Sequence, residues 1–323
     1  MTINGFSQPE ATPNTLAVGT NANLLIELDG SKATANSALG LCITASDSTV
    51  KGLVINSFNY SGIDIRNTTA DGNRIEGNFI GTDPSGIQDL GNGDDGITIG
   101  SGSDSNTVGG TSRALRNLIS GNTDGGVYIE SGNQVRGNLI GTKKDGTTAL
   151  GNGINGGVWV EESSSIVAGN TIAFNVGAGV VVAVGNGDRV LSIFSNGGLG
   201  IDLGDDGVTA NDPGDTDTGA NALQNKPVIR SATTGGGTTT VGARLNSTPN
   251  KSFTVQFFSN PSGNNEGKTF IGQKSVTTNG SGDATFVFSP AQNVGLGRTI
   301  TATATDAAGN TSEFSAPRTV LSS

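Results

Sequence analysis

The chain has 323 residues, and its 28 acidic and 18 basic side chains give a formal net charge of −10. This acidic balance disfavours nucleic acid and anionic membrane surfaces as partners, and no apolar stretch is long enough to predict membrane insertion. Because the chain has no histidine and one cysteine, Cys42, Ser-His-Asp catalysis, zinc chemistry and an internal disulfide are excluded. Glycine, at 52 residues, is too abundant for ordinary helices.

A four-residue pattern, glycine followed by aliphatic, variable and aliphatic residues, occurs seven times between residues 40 and 203. Its copies begin at Gly40, Gly62, Gly96, Gly126, Gly157, Gly179 and Gly200. The shortest step, from Gly179 to Gly200, is 21 residues, and the longest, from Gly62 to Gly96, is 34. Recurrence of one unit in this way predicts a solenoid, in which each turn packs on its neighbours.

A second pattern recurs in the same frame, at residues 48–55, 73–80, 133–140 and 165–172. Its aliphatic residues alternate with period two, which indicates strands rather than helices. Glycine and asparagine, which readily turn the backbone, separate these strands. Three short strands per turn, with turns about 4.8 Å apart, predict an all-β fold, a parallel β-helix of roughly seven to eight rungs over residues 1–204.

The pattern changes after Leu203. Six aspartates lie between Asp202 and Asp217, and we interpret residues 205–225 as an acidic linker or cap. Longer alternating runs follow, for example at residues 253–257 and 300–305. About seven such strands in roughly a hundred residues are typical of an Ig-like β-sandwich, here without a disulfide. The sequence therefore predicts a second domain, an Ig-like β-sandwich over residues 226–323.

Several short sequence motifs resemble those of one family of proteins. They are residues 77–83, 90–93, 200–204, 211–215 and 306–310. These motifs resemble those of bacterial secreted and cell-surface proteins that have right-handed parallel β-helix repeats, a pectate-lyase-like superfold, followed by Ig-like modules. The resemblance implies a secreted or cell-surface location, and we interpret the start of the chain as that of a fragment without its export signal. It leaves the activity open, because such repeats occur in lyases, glycosidases, tailspikes and adhesins alike.

The variable residue of the glycine pattern is predicted to face outward, since strand neighbours alternate. The resulting column is Cys42, Asp64, Thr98, Tyr128, Trp159, Val181 and Asp202. Tyr128 and Trp159 lie on successive rungs, and Glu130 and Glu161 lie two residues beyond them. Aromatic faces stack on sugar rings and carboxylates accept hydrogen bonds from hydroxyl groups. These four residues therefore predict a polysaccharide-binding patch on an extracellular structural or adhesive module.

Two alternatives to this binding patch stay open. Glu130 and Glu161, on adjacent rungs about 5 Å apart, have a spacing that suits a retaining glycosidase, so a polysaccharide-active enzyme, a glycosidase or a lyase, is the alternative function. The two glutamates could equally belong to a solvated face that only maintains solubility. A lyase would need a basic residue beside acidic calcium ligands, and the one obvious pairing, Arg66 with Asp64, is expected to be a salt bridge.

A second column of residues, called here the second apolar column, directly follows the Gly-Asn corner of the repeat. It consists of Val54, Phe79, Leu118, Leu139 and then Thr171. A contiguous apolar surface is normally covered, so we expect the inserts at residues 83–92 and 143–152 to fold over it. The alternative is a homo-oligomer contact through Val54, Phe79, Leu118 and Leu139. The residues that precede this column, Asn78, Asn117, Asn138 and Asn170, predict an asparagine ladder between rungs.

The acidic segment predicts a calcium site. Asp212, Asp215 and Asp217 supply closely spaced carboxylates with turn residues between them, and calcium prefers six to eight oxygen ligands. The segment does not match an EF-hand loop, because the terminal glutamate is missing. The alternative is a solvated acidic turn, although like charges this close are costly without a counter-ion.

Overall fold

The computed structural model describes residues 1–187, 189–190 and 193–323. In these residues the regular structure is strand, apart from the short 3-10 helices Gly5–Ser7, Arg113–Leu115 and Ala220–Leu223. None of these helices has the length and apolar character needed to span a membrane.

Three parallel sheets, with seven strands each in the described residues, occupy the first two thirds of the chain. The first sheet comprises Thr2–Asn4, Thr49–Lys51, Arg74–Glu76, Thr107–Gly109, Gln134–Arg136, Ile166–Ala168 and Arg189–Val190. The second comprises Ile26–Asp29, Leu53–Asn56, Phe79–Ile80, Leu118–Ile119, Leu139–Ile140, Thr171–Ala173 and Ile193–Phe194. The third comprises Leu41–Ile43, Ile63–Ile65, Ile97–Ile99, Gly125–Ile129, Gly156–Val160, Val180–Val182 and Ile201–Leu203. These stacked sheets fit the predicted parallel β-helix.

Aliphatic side chains from all three sheets fill the interior of this coil. In the third sheet Ile63 lies opposite Ile97, Ile97 opposite Val127, and Val127 opposite Val158, and all four are buried in one core. The register is kept even across the 34-residue step from Gly62 to Gly96. Extra residues therefore leave the coil at its corners, because a one-residue slip would turn every core side chain outward.

The corner between the first and second sheets carries the predicted asparagine ladder. The backbone N–H and the side-chain amide of Asn78 both donate to Oδ1 of Asn117, at 2.8 and 3.2 Å. Asn117 donates to Asn138 in the same way, and Asn138 to Asn170. The glycine before the asparagine turns the chain, with φ of +64° at Gly77, a conformation that costs glycine little.

The other two corners carry asparagine ladders that the sequence analysis missed. One runs through Asn73, Asn106 and Asn133. The other runs through Asn92, Asn122, Asn152, Asn175 and Asn196. Each side chain satisfies corner backbone groups that would otherwise be buried without partners.

Glu266, from the C-terminal part of the chain, ends the third ladder. Its carboxyl oxygens accept from the backbone N–H of Asn196 at 3.2 Å and from the Asn196 amide at 3.4 Å, as the next asparagine of the ladder would. Glu266 is 3% exposed, and burial raises its pKa to about 7. The C-terminal part therefore caps the last rung through a continuation of the ladder.

Two four-stranded sheets form this C-terminal part in the described residues. One comprises Asp283–Phe288, Thr238–Asn246, Val228–Gly235 and Leu321–Ser322, and the other Thr269–Thr277, Ser252–Asn260, Thr299–Thr305 and Arg318–Thr319. Both sheets contribute to one core, in which the rings of Phe257 and Phe288 stack at 4.2 Å between centroids. Ala220, within the predicted acidic linker, packs instead on the core of the coil.

The second apolar column is buried rather than exposed. Val54, Phe79, Leu118 and Leu139 are at most 2% exposed and form a cluster with Leu24, Phe6 and Ala22. The two inserts lie against it, as predicted: a Cβ atom at Gly86 would be 3.0 Å from Leu118 Cδ2, and one at Gly146 would be 3.4 Å from Leu139 Cδ2. The N-terminal segment is the cover that the sequence analysis missed. These four side chains are therefore covered within the chain, and the uncovered surface on which the alternative of a homo-oligomer contact depended is not present.

We expect Asn117→Ala to lower the free energy of unfolding by about 2–4 kcal/mol, because it leaves several buried polar groups without partners. Asn117 is fully buried, accepts from Asn78, and donates to Asn138 and to the Ile75 carbonyl. Urea unfolding measures the change. The exposed Asn265 provides the control, Asn265→Ala, and equal stability of the two variants would contradict the role assigned to the ladder.

Candidate functional site

The outer face of the third sheet brings the two predicted aromatic residues together. Tyr128 lies directly opposite Trp159 in the register of adjacent strands, and both side chains are partly exposed. The indole Nε1 of Trp159 donates to Oε2 of Glu161 at 2.6 Å, which fixes the orientation of the ring. We refer to Tyr128, Trp159, Glu130 and Glu161 as the aromatic patch.

The two glutamates of the aromatic patch have different partners. Glu130 Oε2 accepts from the backbone N–H of Gly102, on the preceding turn of the coil, at 2.7 Å. Glu161 is held by Trp159 on its own strand. The Glu130 carboxylate thus holds a loop, and the Glu161 carboxylate holds the Trp159 ring.

Tyr128 carries an unusually basic phenolate. Burial of the ring raises its pKa to about 12, with further contributions from the nearby carboxylates of Glu161 and Glu130. The phenol is therefore neutral at neutral pH. It keeps an O–H group that can donate a hydrogen bond to a ligand.

The outward column is less exposed than its alternation predicts. Val181, in register between Trp159 and Asp202, is 2% exposed, and Asp64 is 7% exposed. Asp64 forms the predicted ion pair with Arg66, while burial raises the pKa of its carboxyl. Arg66 is therefore engaged by a carboxylate, as the sequence predicted.

A cluster of three carboxyls, missed by the sequence analysis, lies at the start of the strands of this face. Asp94 and Asp95 precede strand Ile97–Ile99, and Asp124 precedes the next strand of the sheet. Asp94 lies close enough to Asp124 to raise the pKa of the Asp124 carboxyl, after burial. We refer to Asp94, Asp95 and Asp124 as the carboxyl cluster. The sequence signal for this cluster is that Asp95 directly precedes Gly96 of one glycine pattern and Asp124 directly precedes the strand Gly125–Ile129. The parallel register of adjacent rungs brings these two positions together.

Hydroxyl groups and a glycine shape the surroundings of the carboxyl cluster. Ser61 Oγ donates to Asp94 Oδ2 at 2.8 Å, and Thr98 Oγ1 approaches Asp95 Oδ2 at 3.5 Å. A Cβ atom at Gly125 would lie 2.7 Å from Asp95 Oδ1. Glycine at position 125 therefore permits the Asp95 carboxyl to lie against the next rung.

Two carboxyls of the carboxyl cluster have raised pKa values. Asp95 is 7% exposed, and burial, followed by the charges of Asp94 and Asp124, raises its pKa to about 7. Burial, followed by the interaction with Asp94, also raises the pKa of Asp124. Asp95 in turn contributes to the raised pKa of Tyr128, which places the carboxyl cluster and the aromatic patch in electrostatic contact on one face.

The three aspartates predicted to bind calcium come together in the structure. One carboxylate oxygen from each of Asp212, Asp215 and Asp217 lies within 4.8 Å of the others. Asp215 also accepts from the Asn225 N–H at 2.8 Å and from the Ser247 hydroxyl. Asp217 Oδ1 is buried and has no hydrogen-bond partner among the described residues, so one ligand oxygen is free for a cation.

Comparison of the chain with protein-family models and with curated proteins found no match.

We expect Asp95→Asn to remove part of the pH dependence of stability. Folded Asp95 keeps its proton up to about pH 7, whereas the unfolded chain releases it near pH 3.8. Stability should therefore fall as pH rises between these values, by roughly 2–4 kcal/mol for this group. Glu266 acts in the same direction in an overlapping window, so the measured quantity is the difference between variant and parent.

Urea unfolding of both proteins from pH 4 to pH 8 measures this difference. The variant should gain stability relative to the parent as pH rises. The exposed Asp104 supplies the control, Asp104→Asn, which should parallel the parent. A constant offset between Asp95→Asn and the parent at all pH values would show that the Asp95 carboxyl does not titrate as described.

Proposed function

We propose that this chain is an extracellular module, a right-handed parallel β-helix followed by an Ig-like sandwich, that binds a polysaccharide on the outer face of its third sheet. The observation that carries the proposal is the pairing of Tyr128 with Trp159, two partly exposed aromatic side chains in register on adjacent rungs. The resemblance to bacterial surface proteins supports the extracellular location and the Ig-like assignment.

The chemistry of the aromatic patch suits a sugar. Adjacent rungs lie about 4.8 Å apart, so the two rings offer an apolar surface on which the apolar face of a pyranose can stack. Trp159 is held by its bond to Glu161, which limits the side-chain entropy lost on binding. The Tyr128 hydroxyl and the neighbouring carboxylates supply hydrogen-bond partners for sugar hydroxyls.

The charge of this face selects among polysaccharides. Glu130 and Glu161 place carboxylates beside the two rings, and a polyanionic chain would be repelled by them. The ligand proposed for the aromatic patch is therefore a neutral polysaccharide.

We expect Trp159→Ala to weaken binding to a neutral polysaccharide by about 1–3 kcal/mol, the range for loss of a buried aromatic surface. Affinity electrophoresis across glucans, mannans, xylans and galactans identifies the ligand, and calorimetry then measures the loss. Trp159→Phe keeps a ring but loses the bond to Glu161, and should fall between the parent and the alanine variant.

Phe270→Ala serves as the matched control, because Phe270 is an exposed aromatic residue of the C-terminal sheets. It should bind like the parent. Retention of Trp159→Ala equal to that of the parent on every polysaccharide that binds would leave the face a solvated surface and overturn the proposal.

The second candidate function is glycoside hydrolysis at the carboxyl cluster. It is favoured by one observation, that Asp95 holds its proton near neutral pH beside Asp94 and Asp124. A protonated carboxyl can act as general acid at a glycosidic oxygen while a neighbouring carboxylate acts as base or nucleophile. This assigns the enzymatic alternative to Asp94, Asp95 and Asp124 instead of Glu130 and Glu161. Reducing-sugar assays on each bound neutral polysaccharide separate hydrolysis from pure binding, and an unsaturated-uronate assay on a uronate polymer such as polygalacturonate tests for a lyase.

Calcium is proposed as the ion of the acidic junction. Asp212, Asp215 and Asp217 present converging carboxylates, and hard cations of this kind prefer oxygen ligands. Burial, and then the charge of Asp212, raises the pKa of Asp217. Bound calcium would neutralise this charge. It would also tie residues 212–217 to the strands of the C-terminal sheets through Asp215 and Ser247.

We expect calcium to raise the free energy of unfolding by about 2.7 kcal/mol at a hundredfold excess over its dissociation constant, because the ion binds the native state. Asp217→Asn should abolish this increment while preserving the hydrogen bonds of Asp215. Asp206→Asn, an exposed aspartate of the same segment, is the control and should keep it. Calorimetry that gives one melting temperature in chelator and in millimolar calcium would exclude the site.

A further inference from the structure

A cleft of about 350 Å³ lies at the corner between the first and second sheets, on a different part of the coil from the aromatic patch. Three arginines line it, Arg113, Arg116 and Arg136. Thr111 and Ser112 add hydroxyl groups to its wall, and among the described residues no aspartate or glutamate lines it. Three arginines in the lining of one cleft are unexpected in a chain of net charge −10 with 18 basic residues.

Neutral groups hold Arg116 and Arg136 in place. Arg116 NH1 donates to the Gly19 carbonyl at 2.6 Å, and Arg116 Nε to the Gly137 carbonyl at 3.1 Å. Arg136 Nε donates to Gln134 Oε1 at 2.7 Å. These contacts fix the side chains without neutralising them, and each guanidinium has five N–H groups in all, so donors remain for a ligand.

The positive charge of the cleft is not balanced by the protein. In the described part of the chain the ion pairs are Arg66 with Asp64, Arg74 with Glu76 and Lys226 with Glu313, and none of them includes a cleft arginine. Burial, and then the charge of Arg113, lowers the pKa of Arg116, which reports that its positive charge is disfavoured there. An anion would relieve this cost, since opposite charges a few ångströms apart stabilise each other.

We infer that this cleft is an oxyanion-binding site, in which the guanidinium groups of Arg113, Arg116 and Arg136 take the sulfate, phosphate or carboxylate group of a ligand. Arginine is suited to this chemistry because its planar fork of N–H groups matches two oxygens of an oxyanion. The cleft volume accommodates one such group with the sugar or other small unit that carries it. The inference is independent of the proposed carbohydrate binding, because the two sites share no residue.

The test is a titration of the full chain with sodium sulfate, sodium phosphate and sodium glucuronate, with chloride adjusted to constant ionic strength. Glucose, which has the shape of glucuronate without the carboxylate, is the neutral comparison. NMR shifts of the arginine Nε–H groups and of backbone amides at residues 110–116 and 136–137 report the site directly. At least one oxyanion should bind with saturation, and the arm that saturates at the lowest concentration identifies the source.

Two variants assign binding to the cleft. Arg113→Gln and Arg136→Gln should each weaken the affinity for the preferred oxyanion at least tenfold. Arg74→Gln is the matched control, because Arg74 is exposed and lies in the same sheet as Arg136. This variant should bind like the parent. Arg116 is left unchanged because its side chain also holds the N-terminal segment.

Three results would overturn the inference. They are no saturable shift with any of the three oxyanions, a saturable shift with glucose as large as that with glucuronate, or unchanged affinity in both cleft variants with their unfolding transitions intact. A tenfold loss in either cleft variant, with Arg74→Gln unaffected, supports it.

Discussion

The hydrogen bond from one corner asparagine to the next is the interaction on which the rest of this structure depends. A coil with short strands and sharp corners buries backbone N–H groups that no strand can pair, and a buried unpaired group costs about 1–3 kcal/mol. The asparagine side chain supplies the missing acceptor and also donates to the next rung, as Asn117 does to Asn138. The ladders thereby hold the rungs in the register that brings Tyr128 and Trp159 together.

The corners also determine where new chemistry can be added to the coil. Because strand register and core packing are shared by every rung, additional residues are accommodated only between strands. The carboxyl cluster lies at the end of one such insertion, the arginine cleft is lined by another at residues 110–116, and the inserts at residues 83–92 and 143–152 cover the second apolar column. The strands supply a rigid support, and the candidate sites depend on what leaves them.

Charge is segregated over the coil and its cap. Acidic groups surround the aromatic patch and the junction, whereas the arginine cleft is basic. Asp95, on the outer face, and Glu266, where the C-terminal part meets the last rung, are buried carboxyls with pKa values near 7. Protonation of each carboxyl favours the folded state. The charge on the outer face and the stability of the cap therefore both change as the pH rises toward about 7.

The local sequence pattern determined the repeating part of this protein, and contacts in the tertiary structure determined its candidate sites. Period-two aliphatic residues and a Gly-Asn corner were sufficient to predict the parallel coil, the first asparagine ladder and the pair Asp64 and Arg66, because each depends on residues of one rung or on equivalent positions of successive rungs. The cover of Val54 by the N-terminal segment, the carboxyl cluster and the arginine cleft were not predictable in this way. Each joins residues across insertions of unequal length, and their proximity is set by the stacking of rungs and not by separation along the chain.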